Sequence, residues 1–325
     1  VFLVRDRYLQ RELALKLLRE PSRNGAGLEE VQREFAFLAA IEHPGIARAF
    51  DFGYLEGRPF FTSEFIAGEP LAARGTIENA GDLLRTALDL ARALAFLHAG
   101  DVLHLDVKPA NILRPADPRR GSAVLIDFGL CRRGSAALAG AEPRGSLPYM
   151  APECFRDGSL GPWTDIYALG VTLYELATGV FPRPGPGGPA QRGDEAAWDP
   201  APRAPSTLCP RVPRDLDGII LKCLALDPRS RFPSAVELLA VIGRIGGGTK
   251  ERPGPDPAAP ATLGRASELA QAERFLDAVL AAKGALPALL VTGQRGSGQT
   301  HFLRELKTRA QAKGFRAYLE TGFPG

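Results

Sequence analysis

The chain has 325 residues, with 40 Lys and Arg set against 37 Asp and Glu, for a formal charge of +3. That length suits one large domain or two smaller ones with ample capacity for a buried core. Hydrophobic residues make up 45%, which points to a folded globular protein rather than a disordered one. Arginine is spread along the chain rather than gathered in blocks, so solvated faces are read and no nucleic-acid or membrane-surface partner is indicated.

Cys131, Cys154, Cys209 and Cys223 have no C-x-x-C spacing. Neither a zinc site nor a disulfide framework is expected, and reduced thiols in a cytoplasmic protein fit. No apolar run of about 18 residues occurs, so no segment is expected to span a membrane, and no signal peptide is read. The chain opens on Val1 without methionine and stops at Gly325 after a strand-like run, so a fragment of a longer protein is expected.

"VFLVRD" and "ELALKLLR" predict two short strands joined by a polar turn. "LEEVQREFAFLAAI", Leu28 to Ile41, places Val31, Phe35, Leu38 and Ala39 at helical spacing. "IARAFDFGYLEGRPFFTSEF" predicts a hairpin around Leu55 to Pro59. The period then changes. "AGDLLRTALDLARALAFLHAG", Ala80 to Gly100, predicts a long amphipathic helix closed by glycine. "WTDIYALGVTLYELATG", Trp163 to Gly179, predicts a buried helix, and "DLDGIILKCLAL" and "SAVELLAVIGRI" predict two more. Proline and glycine crowd residues 182–213, which predicts an exposed loop unable to bury a core. "GGGTKERPGPDPAAPA" predicts a linker. After it come a helix, "RASELAQAERFLDAVLAAKG", a buried strand, "PALLVTG", and a second helix, "QTHFLRELKTRAQAKG". No internal repeat is present.

"HLDVKPANIL", His104 to Leu113, holds an acid, a base and an amide in a short fixed register. Phosphoryl transfer needs cations on the phosphates, oxygen ligands for magnesium and a group that positions the attacking hydroxyl. The chain offers each in order. Asp106 precedes Asn111 by five residues, Asp127 of "VLIDFGL" follows Asp106 by 21, and Glu153 of "GSLPYMAPE" follows Asp127 by 26. Taken alone, D-F-G is a common strand-to-turn sequence and a helix glutamate is a solvated charge. Order and spacing together defeat those readings.

With these motifs, residues 1 to about 245 resemble a bacterial, eukaryote-like protein Ser/Thr kinase. "ELALKLL" matches its phosphate-binding strand, "REFAFLAAIEHPGI" its pairing helix, and "TDIYALGVTLYELATG" and "DPRSRFPSA" its later helical motifs. The resemblance implies an α+β bilobal fold, strand-rich and then helical. Asp106 would accept or orient the substrate hydroxyl proton, and Lys108 would stabilise the transferred phosphoryl. Asn111 and Asp127 would hold Mg2+, and Lys16, paired with Glu34, would contact the ATP phosphates. "TSEFIAG" looks like the hinge, with Ser63 as a small gatekeeper and the backbone of Glu64 and Ile66 at the adenine edge. A buried Glu153–Arg231 ion pair is implied. Asp165 would accept catalytic-loop amides, and it also reads as a helix N-cap.

Two departures matter. The family's glycine-rich loop is absent, since the match begins at Val1, and truncation is the expected cause. Leu105 stands where the family carries an arginine that pairs with an activation-loop phosphate. Regulation through phosphorylation of Ser135 or Ser146 by that contact is therefore not expected. Ser146 also aligns with the loop residue whose hydroxyl touches the catalytic aspartate and lysine.

"GQRGSGQT", Gly293 to Thr300, fits a P-loop between a strand and a helix. Gln299 stands at the lysine position, so Gly293, Gly298, Gln299 and Thr300 form a degenerate loop with weak or lost nucleotide binding; a glycine-rich turn kept for folding is the plainer reading. "LGRASELAQAERFLDAV" resembles the opening of AAA-type signalling ATPases. The expected organisation is a kinase domain at 1–245, a linker at 246–262 and the start of a P-loop NTPase domain at 263–325. That last domain would serve sensing or oligomerisation. The expected activity is a cytoplasmic Ser/Thr kinase using ATP and Mg2+ on a protein substrate. The competing class is a pseudokinase scaffold, favoured by the missing glycine loop and Leu105 and opposed by Lys16, Glu34, Asp106, Asn111 and Asp127. A signalling ATPase with a passive kinase lobe is disfavoured by Gln299.

Overall fold

The structure is a computed structural model that describes residues 1–7, 10–17, 35, 38–39, 41–71, 79–128, 130–133, 145–156, 158–183, 201–245, 265–281, 288–293, 299–313, 315 and 317. Two compact units form. One gathers Val1–Glu42, Arg48–Phe65 and Pro260–Gly325; the other gathers His43–Ala47 and Ile66–Ala259. The units therefore do not follow the linear order of the chain. The linker expected at 246–262 lies outside the described residues.

The first unit is built on four antiparallel strands: β1 (Phe2–Asp6), β2 (Arg11–Leu17), β3 (Ala49–Leu55) and β4 (Arg58–Glu64), ordered β1-β2-β4-β3. The predicted hairpin is β3–β4, closed by Glu56 and Gly57 at φ 52° and 80°. Two left-handed residues in a two-residue loop match the right-handed twist of the flanking strands. Of the helix expected over 28–41, the described residues Phe35, Leu38 and Ala39 are helical. Phe35 is fully buried with its ring 5.6 Å from that of Phe52 on β3. Farther along the chain this unit holds α7 (Ala266–Ala281) and α8 (Gln299–Ala312).

A buried strand is expected at "PALLVTG". Residues 288–293 instead form no strand, and Leu290 is 85% exposed. A buried strand must satisfy its backbone groups through neighbours, and among the described residues no strand pairs with this one.

The second unit is helical. Its framework is α1 (Ala80–Ala99), α3 (Pro162–Thr178), α5 (Arg214–Cys223) and α6 (Ala235–Ile245), with the single turns α2 (Glu153–Arg156) and α4 (Pro205–Leu208). Asn79 caps α1 by accepting the Asp82 amide at 3.0 Å, the bond that satisfies an otherwise orphaned first-turn donor. Leu83, Leu90, Ala91, Leu94 and Leu97 of α1 are buried. α3 is buried nearly all round, as a helix without a polar face must be. It ends at Gly179, whose φ of 75° is a left-handed cap that favours glycine. Short ribbons lie beside the helices: β5 (Gly68–Pro70), β7 (Ile112–Pro115) and β8 (Val124–Leu125) in one, β6 (Val102–Leu103) and β9 (Arg132–Arg133) in another.

Composition predicts that 182–213 buries nothing. Residues 184–200 lie outside the described ones, but Pro205 and Val212 are buried. The cause is an anchor that composition does not reveal. Both the amide and the hydroxyl of Ser206 donate to Asp217 on α5, at 2.8 and 2.5 Å.

His43 joins this unit with its ring 5.0 Å from Phe96 and its Nδ1 accepting the Gly45 amide at 3.0 Å. Burial, aided by Arg92, pulls its imidazole down to about 4. An unfolded histidine titrates near about 6.5. The unfolded chain therefore binds the extra proton below that value, so this contribution is complete above about 6.5 and is lost as pH falls toward the folded pKa. The denaturation midpoint should fall between pH of about 7 and about 5. His43→Asn, which keeps an acceptor for Gly45, should flatten that fall; an unchanged pH slope in the variant would remove His43 as its source.

Candidate active site

His104–Asn111 joins the end of β6 to the start of β7, and its shape is set from behind. Asp165, fully buried, lies in the first turn of α3, which begins at Pro162 after Gly161, so Asp165 is not the N-cap. Its Oδ2 accepts the His104 amide at 2.8 Å and its Oδ1 the Leu105 amide at 2.7 Å, as the sequence leads one to expect. His98 Nε2 adds a third contact at 2.9 Å. Burial raises the Asp165 pKa, but the hydrogen bond and charge of His98, with His104, outweigh it and hold the carboxyl below its ordinary value. Leu105 sits at φ 64°, a left-handed strain of about 1–2 kcal/mol for a residue with a Cβ. The two amide bonds to Asp165 hold it there.

His98 and Thr172 escaped sequence reasoning. The buried Thr172 hydroxyl donates to the Val107 carbonyl at 3.2 Å, gripping the loop at a second point. These contacts cross 67 and 65 residues, and nothing in the local pattern announces them.

His104 is fully buried, its ring 4.8 Å from that of Phe128, and its Nδ1 accepts the Asp106 amide at 3.2 Å. Burial lowers its pKa against the pull of Asp165 and Asp106. The ring thus stays neutral, and Nδ1 stays available to orient Asp106.

The structure brings four predicted residues together on this support. Lys108 Nζ lies 2.6 Å from Asp106 Oδ2 and donates to Ser146 Oγ at 2.5 Å. The Ser146 amide donates to Asp106 Oδ1 at 3.2 Å. Asn111 Nδ2 donates to the Asp106 carbonyl at 2.9 Å and to its Oδ2 at 2.7 Å. Gly145, at φ 138°, lets the chain enter this cluster; an added Cβ there would lie 3.2 Å from the Leu105 carbonyl.

Asp127 is exposed at φ 60°, and the next residue, Phe128, is buried. Ile112 pairs with Leu125, and the Ile126 amide donates to the Asn111 carbonyl at 2.9 Å. Asn111 and Asp127 therefore share one end of the β7–β8 ribbon. The Asn111 amide nitrogen is committed to Asp106, which turns its carbonyl oxygen the other way. An amide oxygen and an exposed carboxylate fit Mg2+, which takes few protein oxygens and completes its shell with phosphates and water.

In the first unit, Lys16 lies on β2 opposite Phe61, with Nζ 5.5 Å from that ring. Glu64 ends β4, its amide bonded to the Arg48 carbonyl at 2.8 Å, and Ser63 stands beside it opposite Ala14. Ile66, in the second unit, is buried with Ala47 and Val124. Glu34, Ser135 and Gly298 lie outside the described residues. Gly293 ends the stretch 288–293, which is exposed except for half-buried Val291 against Leu269, Ala272 and Phe302, and Gln299 and Thr300 open α8.

Behind the cluster, Glu153 and Arg231 form the expected ion pair, bidentate at 2.7 and 2.8 Å.

A carboxylate and an ammonium held this way, with an amide oxygen and a second carboxylate at the end of the same ribbon, have the chemistry to orient a hydroxyl and accept charge from a phosphoryl group. Residues 1–241 match the family described as the protein kinase domain, and the chain belongs to that family. It is similar to serine/threonine-protein kinase PknB of Mycobacterium tuberculosis (strain H37Rv), 32% identical over 262 residues, 76% of this chain and 41% of that one. Serine/threonine-protein kinase PrkC of Bacillus subtilis is 29% identical over 257 residues, 74% of this chain and 38% of its own. Serine/threonine-protein kinase PknA of Mycobacterium tuberculosis (strain H37Ra) is 34% identical over 272 residues, 79% of this chain and 62% of its own. The chain thus spans well under half the length of PknB and PrkC.

Proposed function

We propose that the chain is the catalytic part of a serine/threonine protein kinase, moving the γ-phosphoryl group of ATP to protein hydroxyls. The observation that carries this is the hydrogen-bonded cluster of Asp106, Lys108, Asn111 and Ser146. Asp106 orients the substrate hydroxyl and takes its proton as the oxygen attacks the γ-phosphorus and the bond from that phosphorus to ADP breaks, releasing ADP. Lys108, already against Asp106, balances charge on the moving phosphoryl group. Lys16, paired with Glu34, would contact the phosphates, and the backbone of Glu64 and Ile66 would meet the adenine edge. Asn111 and Asp127 would hold Mg2+, which when bound neutralises phosphate charge.

Leu105 offers no cation to an activation-loop phosphate, so regulation through that contact is not part of this reading. Ser146 is read as a structural member of the cluster. In the downstream segment, Gln299 in place of a lysine favours a P-loop-derived module that senses or oligomerises over one that hydrolyses nucleotide. The four free cysteines favour the cytoplasm. Among the described residues no helix is long and apolar enough to cross a membrane.

The test is transfer from labelled Mg-ATP to the protein itself and to a generic basic protein. Label should appear on serine and threonine, and prior phosphatase treatment should leave the rate within about twofold, because Leu105 cannot pair with phosphate. A many-fold loss after phosphatase would overturn the regulatory reading. No transfer by folded protein in excess ATP would favour a scaffold.

A further inference from the structure

The downstream helices group with the sheet that carries Lys16. α7 and α8 meet through Leu269, Ala272 and Phe302, with Leu306 against them. Arg309 pairs with Glu273 and Lys313 with Asp277 across the same seam. That accounts for one face of α8. Lys307 and Gln311, four residues apart and so neighbours on the helix surface, point elsewhere. Lys307 Nζ lies 2.5 Å from Asp51 Oδ1 on β3, and Gln311 Nε2 lies 3.4 Å from the same oxygen. Gln311 is 3% exposed, and its amide also donates to the Ala317 carbonyl at 3.0 Å, so this second face is covered too.

β3 is prepared for the contact. It is an edge strand, and its register shifts between Ala49 and Asp51. Such a bulge re-aims the side chains beside it. Phe52 and Tyr54 share one face, with ring centroids 5.6 Å apart, and Phe52 packs on Phe35. Alternation along a strand puts Asp51 on the other face. An edge strand left bare is a site for unwanted pairing.

We propose that the β3 surface around Asp51 is an intramolecular docking surface for α8, tethering the downstream segment to the lysine-bearing sheet. The occupant is the Lys307–Gln311 face of a helix in the same chain. Covalent linkage raises its local concentration, so a few polar contacts and a covered helix face suffice. The link to phosphoryl transfer rests on the function proposed above; the docking does not.

The test is amide hydrogen exchange on the full chain and on Asp51→Lys, Lys307→Glu and the double swap. Each single variant should raise exchange across Ala49–Leu55 and Gln299–Ala312 about threefold or more, the scale of an ion pair that is only partly exposed. Exchange across Ala80–Ala99 should not change, and the swap should restore most of the protection. Single variants that exchange like the parent, or a swap that restores nothing, would overturn the docking. Phosphate transfer is read in parallel. Failure of transfer in all four proteins with the exchange pattern intact sinks the kinase reading alone, and normal transfer with unresponsive exchange sinks the docking alone.

Discussion

Asp106→Asn is expected to lower phosphate transfer by about 10²–10⁴-fold, the range of a lost general base, while leaving the fold in place. The side chain is nearly isosteric, and the loop around it is held by Asp165 and Thr172 rather than by Asp106. The single oxygen of an amide can accept from only one of Asn111 and Ser146, which donate to different Asp106 oxygens; the amide cannot take a proton, and it removes the charge that pairs with Lys108. Single-turnover rates at saturating Mg-ATP, with ATP affinity measured separately, would check this. The loss should appear in the rate and not in the affinity. A variant retaining more than about a tenth of the parent rate would mean that Asp106 contributes less than a general base does.

Arg231→Ala should give the largest loss of stability, about 3–5 kcal/mol, the cost of leaving one member of a buried pair behind. The Arg231 and Glu153 side chains are 0% and 4% exposed. Beyond the two bonds to Glu153, Arg231 donates to the carbonyls of Ala225 at 2.8 Å and Trp163 at 3.0 Å, and its guanidinium lies 4.7 Å from the Tyr167 ring centroid. Thr164 also donates to Glu153, at 3.0 Å. Truncation would strand a carboxylate and three carbonyls together, that of Leu226 at 3.4 Å included. Since whole domains have only about 5–15 kcal/mol in hand, the urea midpoint should collapse. The double variant Glu153→Gln/Arg231→Met should cost less than the sum of its single variants, because it leaves no orphaned charge. A loss below about 1 kcal/mol for Arg231→Ala would show that water reaches the pair.

Much of the site can be read from short spacings. Asp106, Lys108 and Asn111 lie within six residues, and a turn so short leaves their side chains few places to go. The β3–β4 hairpin, α1 and α3 were equally plain, because their signals repeat within a turn or a pleat. Composition misled where one anchor decided the outcome: the Ser206–Asp217 bonds order part of a proline-rich stretch. Periodicity misled at 288–293, because an apolar run is a strand only when neighbours complete its ladder.

The order of elements, the short-range chemistry of the loop at His104–Asn111 and the placement of Lys16 on a strand were all decided locally, by backbone periods and by side chains a few residues apart. Folding decided the rest: the grip of Asp165 and His98 on that loop, the strain it imposes on Leu105, the hold of Thr172, and the meeting of Lys307 with Asp51 across 256 residues. Those contacts join residues whose separation in the chain carries no periodic signal, so only the packing of whole elements against one another could bring them together.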